Sequence, residues 1–300
     1  MKQVVVLSGK GGAGKTSLVA AFAVLSSMGS GKNSTVLADT DVDASNLELV
    51  LSPVEVESRE FRGGQIAVVN QANCQGCGLC ETVCRFDAVR LVSGFPVVDP
   101  LACEGCAACR YQCPEEAIAM QEQVAGRWFL SDTPYGPLVH AHLEPARENS
   151  GKLVSLVKQR ARDLAESEGY EMILIDGPPG IGCPVISSVS GADLALVIAE
   201  PSLSGLQDMR RAVEMARHFQ IPTAVCVNKY DLYPEGWEKI RRYCQQHDVE
   251  LLGNIPFDET ITAAMTRGQP VINYQPQAPA SKAIEKIWLA VRDKLSRLEA

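Results

Sequence analysis

The chain lacks a surplus of basic residues, a long apolar run and a secretory leader, and each absence removes a class of function. Its 28 lysines and arginines stand against 36 acids, a net charge of −8, which argues against general affinity for nucleic acid or anionic lipid. No run of eighteen apolar residues occurs, so no spanning segment is expected. Met1-Lys2-Gln3 leads straight into the strand-like Val4-Val5-Val6-Leu7, without the pattern of a signal peptide. A cytoplasmic protein is the expectation.

Cysteine, by contrast, is plentiful, with eleven in 300 residues. In a reducing compartment such cysteines point to metal or catalysis rather than disulfides. Eight fall between Cys74 and Cys113, and only Cys183, Cys226 and Cys244 lie outside. The rest of the chain alternates apolar runs with amphipathic stretches. Strands are expected at Gln3–Leu7, Thr35–Ala38, Gln65–Val69, Arg127–Leu130, Met172–Ile175, Leu194–Ala199, Thr223–Val227 and Leu251–Ile255. Helices are expected near Lys15–Met28, Ser150–Ser167, Leu203–Phe219 and Ser281–Leu298, and Thr133-Pro134-Tyr135-Gly136-Pro137 reads as a turn-rich connection. Apolar strands without alternation, separated by helices, specify a mostly parallel sheet covered on both faces. The cysteine region interrupts this pattern once, so it reads as an insertion. The expected organisation is 1–65, an insert at 66–122, and 123–300.

Gly9-Lys10-Gly11-Gly12-Ala13-Gly14-Lys15-Thr16 fits G-x-x-x-x-G-K-[ST] between an expected strand and an expected helix, the context the phosphate loop requires. Its glycines let backbone N–H groups converge on phosphate oxygens at a helix N-terminus. Lys15 is placed to reach the β/γ-phosphates and the Thr16 hydroxyl to bind Mg²⁺, with Ser17 following. Gly29-Ser30-Gly31-Lys32 has no strand before it and reads as a loop.

Cys74-x2-Cys77-x2-Cys80-x3-Cys84 recurs as Cys103-x2-Cys106-x2-Cys109-x3-Cys113-Pro114. Each is a bacterial ferredoxin run whose fourth cysteine ligates the other cluster. One [4Fe–4S] cluster is expected on Cys74, Cys77, Cys80 and Cys113, and a second on Cys103, Cys106, Cys109 and Cys84. Cys₄ zinc sites are the competing reading. Arg85 stands where the second run has Pro114; its N–H and charge would raise the potential of a nearby cluster, and a plain surface arginine is the alternative.

These motifs together resemble the MinD superfamily of deviant P-loop ATPases (MinD, ParA, Mrp, the nitrogenase iron protein), in the form that carries an inserted ferredoxin domain. Lys10 matches the family's signature lysine, which implies an ATP-sandwich homodimer in which Lys10 meets the partner's nucleotide. Asp39-Thr40-Asp41-Val42-Asp43 lies where switch I begins, with Asp41 and Asp43 both candidates for the catalytic acid. Ile173–Gly180 is similar to Walker B and switch II, with Asp176 in the Mg²⁺ shell. Asn228-Lys229-Tyr230-Asp231 resembles the base-recognition segment, with Asn228 on adenine; Asn-Lys-x-Asp alone would also suit guanine. The resemblance includes Thr133–Ala141 and Gly253–Asp258 and implies an α/β P-loop NTPase with an α+β insert, using ATP/ADP, Mg²⁺ and two clusters.

Three functions compete. In the first, ATP-driven switch movement gates electron transfer from the clusters to a protein partner. The second is an iron–sulfur carrier of the Mrp type, and the third a ParA/MinD-like organiser with sensory clusters. The first is preferred at this point, because a redox module between switch I and Walker B would feel their movement. Cys183 reads as a small buried switch residue, or else as a metal ligand across a dimer. Cys226 and Cys244 read as packing residues. His140 and His142, read as an isolated pair at i and i+2 without an acid beside them, are expected to be structural. Ile284, Ile287, Trp288, Val291, Leu295 and Leu298 form an apolar stripe expected to pack on the sheet rather than on a membrane.

Overall fold

The computed structural model describes residues 1–30, 35–144 and 150–298. Its strands are β1 (Lys2–Ser8), β2 (Thr35–Asp39), β3 (Val54–Val69), β4 (Val89–Val92), β5 (Phe95–Val98), β6 (Ile118–Thr133), β7 (Gly136–Leu143), β8 (Met172–Pro179), β9 (Leu194–Ala199), β10 (Thr223–Asn228) and β11 (Glu250–Ile255). Its helices are α1 (Lys15–Ser30), α2 (Glu48–Leu51), α3 (Leu79–Thr82), α4 (Ala108–Gln112), α5 (Ser150–Glu168), α6 (Cys183–Val189), α7 (Leu203–His218), α8 (Pro234–Gln246), α9 (Glu259–Thr266), α10 (Val271–Tyr274) and α11 (Pro279–Arg297). Among them no helix is long and apolar enough to cross a membrane.

The chain divides into two units. The first comprises Met1–Arg59, Trp128–His142 and the chain from Ser150 onward. Glu60–Arg127 and the stretch from Leu143 make the second. The divisions fall inside β3 and β6, so each of these long strands contributes to both units.

The first unit is built on a sheet of order β11-β10-β9-β1-β8-β2-β7-β6-β3. β1 pairs in parallel with β8 and β9, and β2 with β8 and β7. Val4, Val5, Val6 and Leu7 are wholly inaccessible. A central parallel strand covered on both faces has no polar side, which is why its sequence shows no alternation. On one face α1 and α11 pack together, Phe22 against Trp288 with ring centroids 4.9 Å apart. Ile284, Ile287, Trp288, Val291 and Leu295 are buried there, whereas Leu298 is exposed.

Three sequence expectations are corrected. Gly29 and Ser30 end α1 rather than forming a loop; Gly31 and Lys32 lie outside the described residues. The turn read across Thr133–Pro137 is confined to Pro134 and Tyr135, because Gly136 and Pro137 already open β7. Proline is admissible at a strand's start, where it removes no ladder bond from the interior. β7 brings the third correction: His140 and His142 do meet an acid, because α2 sets Glu48 beside both rings.

The second unit holds a repeated pattern. Residues Cys74–Asp87 and Cys103–Glu116 each carry a four-cysteine run followed by a turn. The left-handed backbone recurs at matching places: Gly76 and Gly105, Gly78 and Ala107, Asp87 and Glu116. Both short helices, α3 and α4, begin straight after such a residue. At Gly105 a Cβ would strike the carbonyl of Gln65, so glycine is required there by space as well as by its positive φ.

Candidate functional site

β1, β2 and β8 end side by side, with Val6 and Asp39 each in register with Asp176. The sheet order reverses beside β1, and α/β sheets bind ligands in the crevice outside the strand ends at such a point. A cleft there is lined by Gly11, Gly12, Gly14, Lys15, Thr16, Ser17, Asp41, Asp43, Pro178 and Gly182, among others.

The loop Gly9–Gly14 leaves β1 and enters α1. Gly12 and Gly14 take φ of 79° and 98°, a conformation that costs little only for glycine. A side chain on Gly9 would collide with Asp208 of α7, and one on Gly14 with the amide of Asn228. Over Gly11 and Gly12, by contrast, the space is open. Lys15 is buried and donates from Nζ to Ser8 Oγ at 3.1 Å.

Thr16 donates from Oγ1 to Asp176 Oδ2 at 2.7 Å. The other oxygen, Asp176 Oδ1, is buried with no hydrogen-bond partner among the described residues. Burial, then the nearby Asp39 carboxyl, raises Asp176 well above the usual carboxylate range despite Lys15 and Thr16. An orphaned carboxylate oxygen beside a threonine hydroxyl and an open glycine loop is a cation's donor set in form.

Asp39 is wholly buried and accepts from Ser45 Oγ at 2.7 Å and from the N–H groups of Asp41, Asn46 and Leu47. It ties the segment after β2 into a tight loop that carries Asp41 and Asp43 into the cleft. Asp41 is pushed up to about 6 by burial, then by Asp39, against the pull of Lys15. Asp43 is exposed.

Asn228 closes the loop from behind: its amide donates to the Ala13 carbonyl at 2.9 Å, and its own oxygen accepts from the Lys229 N–H. Lys229 and Lys10 meet on one carboxylate, with Nζ atoms 2.7 and 2.9 Å from the two oxygens of Glu200. Burial alone would raise Glu200; hydrogen bonds from Lys229 and Lys10 outweigh it and hold the group below its ordinary value.

Cys183 opens α6 and is exposed, not the buried switch residue expected from sequence. It follows Gly180, whose φ is 93°. Lys158 of α5 donates to the carbonyls of Ser187, Ser188 and Ser190, fixing the other end of α6. Cys226 and Cys244 are buried.

Ser8, Asp39 and Glu200 were not singled out by sequence. Asp39 and Glu200 each end or follow a buried strand, and a strand-terminal acid was the available signal for both.

In the second unit, Cys74, Cys77, Cys80 and Cys113 line one small cavity. Cys80 and Cys109, equivalent in the repeat, are buried and pack with Ala67, Val89 and Ile118; Cys77 and Cys106 are exposed. Burial raises the thiols of Cys80 and Cys109. The Gly76 N–H points at Cys74 Sγ (3.5 Å) and the Ala117 N–H at Cys113 Sγ (3.3 Å).

Comparison with known proteins agrees with this architecture. A protein of Methanocaldococcus jannaschii, itself described only as uncharacterized, is 33% identical over 85% of this chain and 84% of its own length. The iron-sulfur cluster carrier protein of Pyrococcus horikoshii is 27% identical over 50% of this chain, and the match spans about half of that relative, 54%. Among solved structures, the septum site-determining protein MinD of Pyrococcus horikoshii, complexed with Mg-ADP, superposes with a TM-score of 0.60 at 20% identity, covering 100% of this chain and 98% of that one. Residues 4–271 match the model of the CobQ/CobB/MinD/ParA nucleotide binding domain, and the chain belongs to that family of MinD/ParA-superfamily P-loop ATPases.

Proposed function

We propose that this chain is an iron–sulfur ATPase of the carrier type. Its P-loop unit binds and hydrolyses MgATP, and its cysteine unit, an α+β ferredoxin-like insert over 66–122, holds two [4Fe–4S] clusters. The observation that carries the reading is the repeated four-cysteine backbone with one complete set of thiols around a single cavity.

The thiols fit such a group. The two buried cysteines of the unit, Cys80 and Cys109, are both raised by burial, and a bound cation would restore their thiolate character; N–H donors at Cys74 and Cys113 suit cluster-bound sulfur. Cys74, Cys77, Cys80 and Cys113 would hold one cluster; Cys103, Cys106, Cys109 and Cys84 the other. Such clusters supply one-electron chemistry or serve as cargo.

In the nucleotide site, Lys15 and the N–H groups of Gly11–Gly14 hold phosphates. Thr16 and the orphaned Asp176 Oδ1 hold Mg²⁺, directly or through water. Asp41 or Asp43 orients the attacking water. Asn228, now engaged with Ala13, keeps the loop in shape and borders the base site with Lys229. A homodimer across this site follows from the Lys10 resemblance.

The names of the iron-sulfur relatives favour carriage over the electron-gating role preferred from sequence. Gating keeps one specific support: eight cysteines satisfy both clusters completely, an arrangement suited to retaining them. Anaerobic iron analysis and EPR should first find about eight irons per chain. Transfer to an apo-protein that requires a [4Fe–4S] cluster is then timed with MgATP and MgADP, and the midpoint potentials are taken in both states. Nucleotide-dependent transfer supports carriage. A shifted potential without transfer supports gating. Zinc in place of iron, or neither response, overturns both.

A further inference from the structure

We propose that Glu48, His140 and His142 form a binding site for one divalent transition-metal ion, with no donor shared with the nucleotide cleft or the cysteines. His140 and His142 stand at i and i+2 on β7, and alternate residues of a strand share a face. α2 starts at Glu48 against that face. His140 Nδ1 lies 3.1 Å from Glu48 Oε2, and His142 Nε2 lies 3.2 Å from Glu48 Oε1. One donor atom from each residue lies within 4.8 Å of the other two. Ligands at zinc distances of about 2.0–2.1 Å in a tetrahedron stand roughly 3.3 Å apart. Each imidazole donor already stands at that length from one oxygen of Glu48, His140 from Oε2 and His142 from Oε1, and the remaining separations close by a movement of the exposed His142.

A second observation points to a ligand. His140 is 3% exposed, and its Nδ1 has no hydrogen-bond partner among the described residues, although a carboxylate oxygen is so near. The contact has ion-like length without hydrogen-bond geometry. The opposite nitrogen, Nε2, lies 3.2 Å from Ser131 Oγ. A ligating histidine commonly has its other nitrogen held this way; in the tautomer whose Nε2–H donates to Ser131 Oγ, Nδ1 carries the lone pair. Phe129 stacks on His140 (centroids 5.0 Å), which orients the buried ring, and meets His142 edge-on (5.3 Å).

The donor set defines the ion. Two imidazoles and one carboxylate suit Zn²⁺, Fe²⁺, Co²⁺ or Ni²⁺; the all-oxygen preference of Mg²⁺ and Ca²⁺ and the thiolate preference of Cu⁺ are not met. Three protein ligands leave at least one position for water or another ligand, and the exposed side is that of His142.

Zinc is the probe. Chain with its cysteine-bound metal intact is washed with chelator, then titrated with Zn²⁺ by equilibrium dialysis, and the bound zinc is examined by X-ray absorption. One zinc per chain with nitrogen and oxygen neighbours only, and affinity lowered at least tenfold by His142→Ala or Glu48→Gln, is the expected result. Ser131→Ala should lower it by about tenfold, as loss of an outer-shell partner does. MgATP binding measured alongside shows each variant to be folded. Sulfur neighbours near 2.3 Å (about the zinc–thiolate length), no bound zinc, or unchanged binding in His142→Ala overturns the proposal.

Discussion

At the scale of single residues, the nucleotide cleft is a cluster of acids held in unfavourable protonation states. Asp39, Asp41 and Asp176 are all raised, chiefly by burial. For Asp41, raised from 3.8 to about 6, the sign is definite. Its ionised form is disfavoured in the folded chain, so the destabilisation is fully present above pH 6 and disappears as pH falls towards 4. Asp41→Asn should therefore raise the melting temperature of the nucleotide-free protein at pH 8. The gain is about 1 kcal/mol after allowance for solvent screening, and it should shrink at pH 5. An equal gain at both values would place the effect elsewhere. Lys15 is buried and donates from Nζ to Ser8. Lys15→Ala should abolish MgATP binding by calorimetry and leave the absorption of the cysteine unit unchanged. Both chemistries were legible from sequence because phosphate loops and cysteine runs are local. Glu48 and Glu200 were not, since their partners come from distant parts of the chain.

At the scale of elements, the buried parallel strands were read nearly to their ends, because a strand covered on both faces is apolar throughout. β3 and β6 were read only in part. Val54–Val69 is largely exposed and polar along its length, so nothing in its composition distinguishes strand from loop. β7 was missed because Gly136 and Pro137 signal a turn, though here they start a buried strand. α11 was legible from its stripe, and its anchor is Trp288, which is 4% exposed and packed on Phe22. Trp288→Ala should cost about 3–5 kcal/mol, the usual range for removing a buried aromatic, measured by denaturant unfolding of the chain. A loss under 1 kcal/mol would mean that α11 is a peripheral cover and not a wall of the core.

At the scale of the whole molecule, the feature that links site to assembly is Glu200 between Lys10 and Lys229. In the single chain Lys10 pairs with Glu200 at 2.9 Å while 37% of its side chain stays exposed. A half-exposed ion pair of this kind contributes about 0–1 kcal/mol, so Lys10 leaves it at little cost. Glu200 does not become an unpaired acid in the process, because Lys229 remains on its other oxygen. In the proposed dimer Lys10 would leave this pair, and a partner's phosphates would offer it a stronger charge-assisted contact. Light scattering with a non-hydrolysable MgATP analogue tests this. The wild type should shift from monomer towards dimer, and Lys10→Ala should bind the analogue yet remain monomeric. Glu200→Gln, which releases Lys10 in advance, should dimerise at lower protein concentration, by a factor of up to about thirty, because two ion pairs of up to about 1 kcal/mol each no longer have to break. Dimerisation of Lys10→Ala at the wild-type concentration would show that Lys10 serves its own loop alone, and the sandwich arrangement would have to be abandoned.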